Sequence, residues 1–267
     1  MLELQWILSY LLLGSVVGVM AGLLGIGGGG IMVPVLTSLF LWQGLPAESV
    51  VHLALGTSMA SIIVTSFSSL RSHHHKGAVI WDIVKKMSVG IIAGTFLATF
   101  IAAYAKAWFL ALFFSFFMAV ISIRMFFNTQ TKTHRTLAGG TGLLFAGSVI
   151  GAISALVSIG GGSLTVPYLT WQNIDIRKAI GTSAAIGLPI AIAGTFGYVL
   201  NGWKNTSVDT LTFGYVDLPA VLLISLSSFF TAPIGVMLAH KLPVTIIKKI
   251  FALLLILLSL KMLLSVL

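Results

Sequence analysis

Cysteine is absent from this 267-residue chain, and only 8% of its residues are charged. The lack of cysteine excludes disulfides, thiolate metal sites and thiol relays. Ordinary soluble domains are about 25% charged, and one soluble core could not hide the apolar surface of a chain that is 58% hydrophobic. Acidic residues are scarce too, at 6 against 15 Lys and Arg. The composition therefore predicts an integral membrane protein.

Six apolar segments have the length of about 20 residues that a bilayer-crossing helix needs. Two further apolar stretches, at 6–42 and 137–171, are too long for one span and are interrupted by glycine runs. The opening residues MLELQW contain no Lys or Arg, unlike the basic start of a signal peptide, so we expect the first apolar stretch to be retained. The six ordinary spans are predicted at 50–70, 84–104, 107–127, 178–200, 217–239 and 245–266.

The two glycine runs are copies of each other. The first reads GIGGGGIMVPVLT at 25–37, and the second reads SIGGGSLTVPYLT at 158–170, which is 133 residues later. Gly-Thr-Ser follows each of them, at 56–58 and at 181–183. The sequence therefore predicts one membrane domain made of two repeats. Their predicted bounds are 1–128 and 137–267, with a polar cytoplasmic linker at 129–136.

The distribution of Lys and Arg decides between two topologies, because cytoplasmic loops collect these residues. If each glycine-broken stretch crosses the membrane once, the two sides carry 9 and 6 of them. If each stretch is a hairpin that turns at its glycines, the sides carry 12 and 3, which is the stronger bias. We therefore interpret the net charge of +9 as a signal of orientation, and we predict no nucleic-acid partner.

A hairpin followed by three spans crosses the membrane an odd number of times, so the second repeat begins on the other side. The predicted fold is an all-α polytopic membrane protein with two inverted repeats. Each repeat consists of a glycine-broken, re-entrant-type helical hairpin and three transmembrane helices. We expect residues 71–86 and 124–135 in the cytoplasm, both termini outside, and the chain in the cytoplasmic (inner) membrane.

The glycine breaks are the main candidate for a binding site. Lipid cannot satisfy backbone groups freed inside a bilayer, so such breaks line a cavity or are buried in protein. We expect the short helices to begin near Ile31 and Leu164, with Pro34 and Pro167 in their first turns. Their N–H groups and positive dipole ends would then face the membrane midplane and attract an anion. The alternative is that these glycines only allow tight helix packing.

Hydroxyl and cationic side chains lie close to each break in the sequence. The hydroxyls of the Gly-Thr-Ser segments can donate to an anion, or they can bond helix carbonyls and hold helices together. His52 and Arg177 each precede a Gly-Thr-Ser segment by four residues, and we place them at opposite mouths of a pathway or, alternatively, as solvated interfacial groups. The predicted substrate-binding residues are Gly27, Gly28, Gly29, Gly30, Pro34, Thr57, Ser58, Gly160, Gly161, Gly162, Ser163, Pro167, Thr182 and Ser183.

Other polar residues give weaker signals. We interpret His73, His74 and His75 as part of a solvated basic loop rather than a metal site, and we predict no metal and no cofactor. Asp82 and Asp217 are interpreted as interfacial rather than as proton carriers. Proton and sodium coupling, and the oligomeric state, stay open. An enzyme is not predicted, because no nucleophile with a base and no metal cluster is evident.

The duplicated I-G-G-G-x-x-x-V-P segments, each followed by Gly-Thr-Ser, resemble the sulfite exporter TauE/SafE family over essentially the whole chain. The resemblance implies a secondary transporter that moves a small anion across the cytoplasmic membrane by alternating access. The implied substrate is sulfur-containing: sulfite, sulfoacetate or a related sulfonate. An anion channel on the same scaffold is the alternative. The second copy departs from the first at Ser158 and Ser163, so the two half-sites need not contribute equally.

Overall fold

A computed structural model describes residues 3–25, 27–127, 137–206, 211–241 and 244–266. The described residues are almost entirely helical, with one two-stranded antiparallel ribbon. The predicted linker at 129–136 lies outside them. The elements in chain order are α1 (Leu4–Leu24), α2 (Gly29–Trp42), α3 (Ala47–His75), α4 (Trp81–Tyr104), α5 (Ala107–Phe126), α6 (Gly140–Val157), α7 (Gly162–Trp171), α8 (Ile176–Asn201), β1 (Thr212–Phe213), β2 (Val216–Asp217), α9 (Leu218–Lys241) and α10 (Val244–Val266).

Over the residues that the structure describes, seven of these helices are long and apolar enough to cross a membrane: α1, α3, α4, α5, α6, α8 and α9. Helices α2 and α7 have 14 and 10 residues, too short for a hydrocarbon core about 30 Å thick. Each of the six predicted ordinary spans corresponds to a helix. The predicted all-α polytopic fold is therefore confirmed.

The predicted loop at 71–86 is wrong at its start. Helix α3 continues to His75, so the three histidines form its last turn. His73 is buried there, and its Nε2 lies 3.2 Å from the carbonyl oxygen of Gly22. The longer helix keeps its backbone hydrogen bonds through this basic stretch, which a count of apolar residues alone does not detect.

Each glycine break is the tip of a hairpin. Helix α1 ends at Gly25 in the left-handed conformation, and α2 begins after Gly28 in the same conformation. The side chain of Gln43, just after α2, donates a 2.8 Å hydrogen bond to the hydroxyl of Tyr10 in α1. The end of α2 is therefore level with the early part of α1, which shows that α2 runs back along it.

The second hairpin is tied in the same way. Helix α6 ends at Ser158 with φ of 46°, and α7 begins after Gly161 with φ of 78°. The side-chain oxygen of Gln172, at the end of α7, accepts a 2.9 Å hydrogen bond from the backbone N–H of Ala138, just before α6. Gln43 and Gln172 lie at equivalent positions of the two hairpins, just after α2 and α7. In each hairpin the side chain at this position forms a hydrogen bond to the segment where the hairpin begins.

The two longest central helices, α3 and α8, pack against each other and form the middle of the molecule. A Cβ built at Gly187 would lie 2.8 Å from Oγ of Ser66, and a Cβ built at Gly194 would lie 2.9 Å from the sulfur of Met59. The contacts advance along α8 while they retreat along α3, so these equivalent helices are antiparallel. Inverted repeats require this arrangement, and the inversion across a membrane stays a prediction.

The outer helices pair across the repeats, α1 with α9 and α4 with α6. Glycines line these contacts: a Cβ at Gly14, Gly18 or Gly22 of α1 would lie 2.0–2.8 Å from backbone atoms of α9. Gly90 and Gly94 of α4 are equally close to α6. Glycines four residues apart let two backbones approach closely, a common way to join helices in lipid. The repeats are therefore held together by two glycine-lined contacts, α1 with α9 and α4 with α6, which we call the glycine seams.

The seam predicts a stability effect for Gly18→Ala. The new Cβ would lie 2.6 Å from the carbonyl oxygen of Ser228, so α1 and α9 must separate. We expect a loss of about 1–3 kcal/mol, the usual cost of overpacking, measured as a lower melting temperature in detergent. Gly140→Ala is the matched control, since nothing lies within 4 Å of a Cβ there. Equal melting of both variants would contradict the seam.

Candidate functional site

The two hairpin tips meet in the interior of the molecule. A Cβ built at Gly27 would lie 2.8 Å from the Cα of Gly160. A Cβ built at Gly29 would lie 1.6 Å from the carbonyl oxygen of Ser158. Neither position can therefore carry a side chain without moving the opposite tip. The structure brings the predicted glycines Gly27–Gly30 and Gly160–Gly162 together, and all of them are buried.

Backbone N–H groups are left free at both helix starts. Gly28 and Gly161 precede α2 and α7 with φ of 81° and 78°, a region that favours glycine, and no side chain caps either helix. Among the described residues, no hydrogen bond uses the N–H groups of Gly29 and Gly30, or of Gly162 and Ser163. Each tip thus presents two free donors at the positive end of a helix.

The prolines do not lie where the sequence reasoning placed them. Helices α2 and α7 begin at Gly29 and Gly162 rather than near Ile31 and Leu164, so Pro34 and Pro167 are the sixth helical residues. The predicted first-turn position is wrong because the glycines themselves adopt helical geometry. A proline there has no N–H for the carbonyl four residues earlier, which is that of Gly30 in α2 and Ser163 in α7.

Two buried hydroxyls near the tips have no hydrogen-bond partner among the described residues. One is Oγ of Ser58 in α3, and the other is Oγ1 of Thr165 in the first turn of α7. Ser58 lies between Leu55, whose carbonyl oxygen accepts a 2.9 Å bond from Oγ of Ser158, and Ile62, whose Cγ2 would lie 3.3 Å from a Cβ at Gly27. Burying an unpaired hydroxyl costs free energy, so both positions are unfavourable unless the hydroxyl finds a further partner.

The remaining hydroxyls of the Gly-Thr-Ser segments are already engaged. Thr57 accepts a 2.9 Å hydrogen bond from the N–H of Asp217, and Thr182 accepts a 3.0 Å bond from the N–H of Ile80. Ser183 donates to the carbonyl oxygens of Ile180 and Gly25. These contacts join helices and linkers, the alternative that the sequence left open beside anion binding.

His52 and Arg177 differ although they occupy equivalent positions. The ring of His52 is 5% exposed, its Nε2 lies 3.1 Å and 3.0 Å from the carbonyl oxygens of Ala102 and Ala105, and it packs on Tyr215 at 5.1 Å. A solvated side chain is therefore wrong for His52, which ties α3 to the end of α4. Arg177 is exposed in the first turn of α8.

The two acidic residues Asp82 and Asp217 lie in different environments. Asp82 is exposed and forms a 2.7 Å ion pair with Lys86, as an interfacial residue would. Asp217 is half-buried before α9, where its carboxylate accepts a 2.9 Å bond from the N–H of Ala220. Within the described ranges there is no group of three His, Asp or Glu residues that could hold a metal ion.

Several Ser and Thr hydroxyls along α3 form contacts that the sequence analysis does not predict. Oγ1 of Thr65 lies 2.9 Å from Oγ of Ser228 in α9, and Ser68 donates to the carbonyl oxygen of Phe229. The signal for them is the unusual density of Ser and Thr in an apolar span, at Ser61, Thr65, Ser66, Ser68 and Ser69. These two contacts join α3 to α9.

Comparison with known proteins shows the family of this chain. Residues 10–262 match the family described as Sulfite exporter TauE/SafE. The chain belongs to the TauE/SafE family. A "probable membrane transporter protein" of Haemophilus influenzae is 36% identical over 97% of this chain and 99% of its own length.

More distant relatives in the TauE/SafE comparison carry the same description. One from Methanocaldococcus jannaschii is 25% identical over 90% of each chain. Another, from Bacillus subtilis, is 26% identical over 86% of this chain and 89% of its own length. No solved structure matches the chain. The family and the seven apolar helices together identify a multi-pass membrane protein of a transporter family.

Burial raises the pKa of the Asp217 carboxyl from 3.8 to about 6, against the opposing hydrogen bond from Ala220. A folded-state pKa above the unfolded value means that the folded state holds the proton more tightly. The contribution to stability is thus complete below about pH 4 and is lost as the pH rises through 6. We expect Asp217→Asn to flatten this decline in melting temperature between pH 4 and 7. An unchanged pH profile would contradict the assignment.

Proposed function

We propose that the protein is a secondary transporter of a small anion, with the anion held between the two hairpin tips. The main support is the contact between the two hairpin tips, Gly27 with Gly160 and Gly29 with Ser158. A short helix begins in each tip, at Gly29 and at Gly162, and the N–H groups of these two residues have no partner among the described residues. Two helix dipoles aimed at one buried place attract negative charge without a Lys or Arg.

The hydroxyls extend this donor set. Oγ of Ser58 and Oγ1 of Thr165 are buried near the tips without partners, and each can donate one further hydrogen bond. A tetrahedral or pyramidal oxyanion has several acceptor oxygens, which such a mixed set of backbone and hydroxyl donors fits. Membership in the TauE/SafE family supports a sulfur oxyanion or a sulfonate as the substrate.

Alternating access is the proposed mechanism. The two repeats would rock about the antiparallel pair α3 and α8, so that the tips face one side of the membrane and then the other. Saturable uptake accelerated by anion on the far side would distinguish this carrier from a channel on the same scaffold. Coupling to a proton or to sodium is compatible with this mechanism, and its direction is left open.

The binding site predicts the outcome of a ligand screen on the purified protein. An anion that binds the folded state raises its melting temperature, so we expect one of sulfite, sulfoacetate, thiosulfate or a related sulfonate to do so. Gly161→Ala should abolish both the shift and proteoliposome transport, because its Cβ falls 2.6 Å from Cδ1 of Ile190 at a φ of 78°. We expect Gly28→Ala, at a φ of 81°, to abolish the melting-temperature shift and the transport as well.

Gly140→Ala is the control in that screen, and it should bind and transport as the natural protein does. Two results would overturn the proposed site. One is a flat response of the natural protein to every anion in the set, and the other is unchanged binding and transport in both the Gly28→Ala and the Gly161→Ala variants.

The proposed orientation places the chain in the cytoplasmic membrane with both termini outside. Its support is the concentration of 12 of the 15 Lys and Arg on one side. Because the chain has no cysteine, single cysteines report sidedness cleanly. We expect Lys76→Cys to react with an impermeant maleimide from the cytoplasmic side and Lys204→Cys from the other side. Labelling of both from one side would refute the orientation.

A further inference from the structure

We propose that the Gly-Thr pairs of α3 and α8 are two latches, each holding the linker of the opposite repeat over one end of the anion site. The linkers are residues 76–80, between α3 and α4, and residues 211–217, before α9. This inference rests on the proposed function, since a latch at each end of the site has the role of a gate in a transporter.

The first latch is formed by Gly56 and Thr57. A Cβ at Gly56 would lie 2.0 Å from the carbonyl oxygen of Tyr215, so only glycine lets the linker sit this close. Two residues later, the N–H of Asp217 donates a 2.9 Å hydrogen bond to Oγ1 of Thr57. Gly56 and Thr57 thus contact positions 215 and 217 of the same linker. The ring of Tyr215 also packs on the ring of His52.

The second latch repeats this geometry with other residues. A Cβ at Gly181 would lie 2.5 Å from the carbonyl oxygen of Ala78. Two residues later, the N–H of Ile80 donates a 3.0 Å hydrogen bond to Oγ1 of Thr182. The same two interactions, at the same spacing, recur in a part of the chain with a different sequence.

The latches lie at opposite ends of the central helices. Linker 76–80 follows the end of α3 and contacts the start of α8, whereas linker 211–217 follows α8 and contacts the first half of α3. Because α3 and α8 are antiparallel, these two contacts are on opposite sides of the pair. Both linkers are seated in this structure.

The third residue of each Gly-Thr-Ser segment connects its latch to the site. Ser183 donates a 3.2 Å hydrogen bond to the carbonyl oxygen of Gly25, at the tip of the first hairpin. Ser58, the equivalent residue, is the buried hydroxyl without a partner near both tips. In each segment, the serine near a hairpin tip is the next residue after the threonine that binds a linker. A movement of the tip on anion binding could therefore be passed directly to the linker contact.

The two latches differ in chemistry as well as in position. The one at Thr57 holds a linker that ends in Asp217 and carries Tyr215, whereas the one at Thr182 holds the apolar residues Ala78, Val79 and Ile80. Release of the first exposes a carboxylate and an aromatic hydroxyl, and release of the second exposes apolar side chains. The two ends of the site therefore need not open equally easily.

Side-resolved labelling of a buried cysteine tests the latches without transport. Ser58→Cys in the cysteine-free chain places a thiol near the tips. In sealed vesicles, an impermeant maleimide should label it slowly from both faces. Adding Gly56→Ala displaces Tyr215 and should raise labelling several-fold from the face where 211–217 lies. Adding Gly181→Ala instead should raise it from the opposite face, and Gly140→Ala should change neither.

Milder variants keep the test decisive if either alanine prevents folding. Thr57→Val and Thr182→Val remove only the acceptor of one linker N–H, while Thr57→Ser and Thr182→Ser keep it. We expect the valine variants to open opposite faces and the serine variants to label like the parent.

Increased labelling from one and the same face in both latch variants, or unchanged labelling in all of them, would overturn the latches. Opposite-face labelling of the Ser58→Cys variants, combined with no binding and no transport of any tested anion by the natural protein with Ser58 intact, would leave the latches in place and refute the proposed function. The two proposals can therefore fail separately.

Discussion

A helix that stops inside a bilayer leaves N–H and C=O groups that lipid cannot satisfy, and this cost governs the architecture. The protein contains two such helix breaks. They pack against each other in its interior, where protein rather than lipid surrounds the freed backbone groups. The approach of Gly27 to Gly160, and of Gly29 to the carbonyl oxygen of Ser158, leaves no room for lipid between the tips. The surrounding helices follow from this requirement, since α3 and α8 must enclose both tips. That need explains why α3 is the most completely buried of the long helices.

Glycine therefore has two separate structural tasks in this chain. At Gly28 and Gly161 it adopts a left-handed conformation that begins a short helix. Along α1 and α4 it removes side chains so that helices of different repeats can touch. The sequence reasoning set these tasks against each other as alternative explanations of the glycine runs. The structure contains both, in different places, so close packing in the seams does not argue against a site at the tips.

Much of this architecture can be predicted from the sequence, because membrane helices are long and apolar and because charge follows topology. The hairpins were accessible from the Lys and Arg distribution and from the shortness of 31–42. The start of α2 at Gly29 was not, because glycine has low helix propensity and only the packed tip makes helical geometry favourable there. The partners of Thr57 and Thr182 were also hidden, since each lies more than 100 residues away along the chain. Likewise, the burial of His52 depends on carbonyls at the end of α4 that no local pattern indicates.

The glycine seams have a consequence for how the chain assembles. Helix α1 is made well before its main partner α9, and α4 is made before its partner α6. During synthesis the first half therefore resides in the bilayer with two glycine-lined faces uncovered, and its own helices cannot cover them. Neither half is a complete folding unit, despite their similar sequences. Because contacts of such long sequence separation form slowly, we expect the fold to be completed only after α6, and later α9, have inserted and covered these two faces.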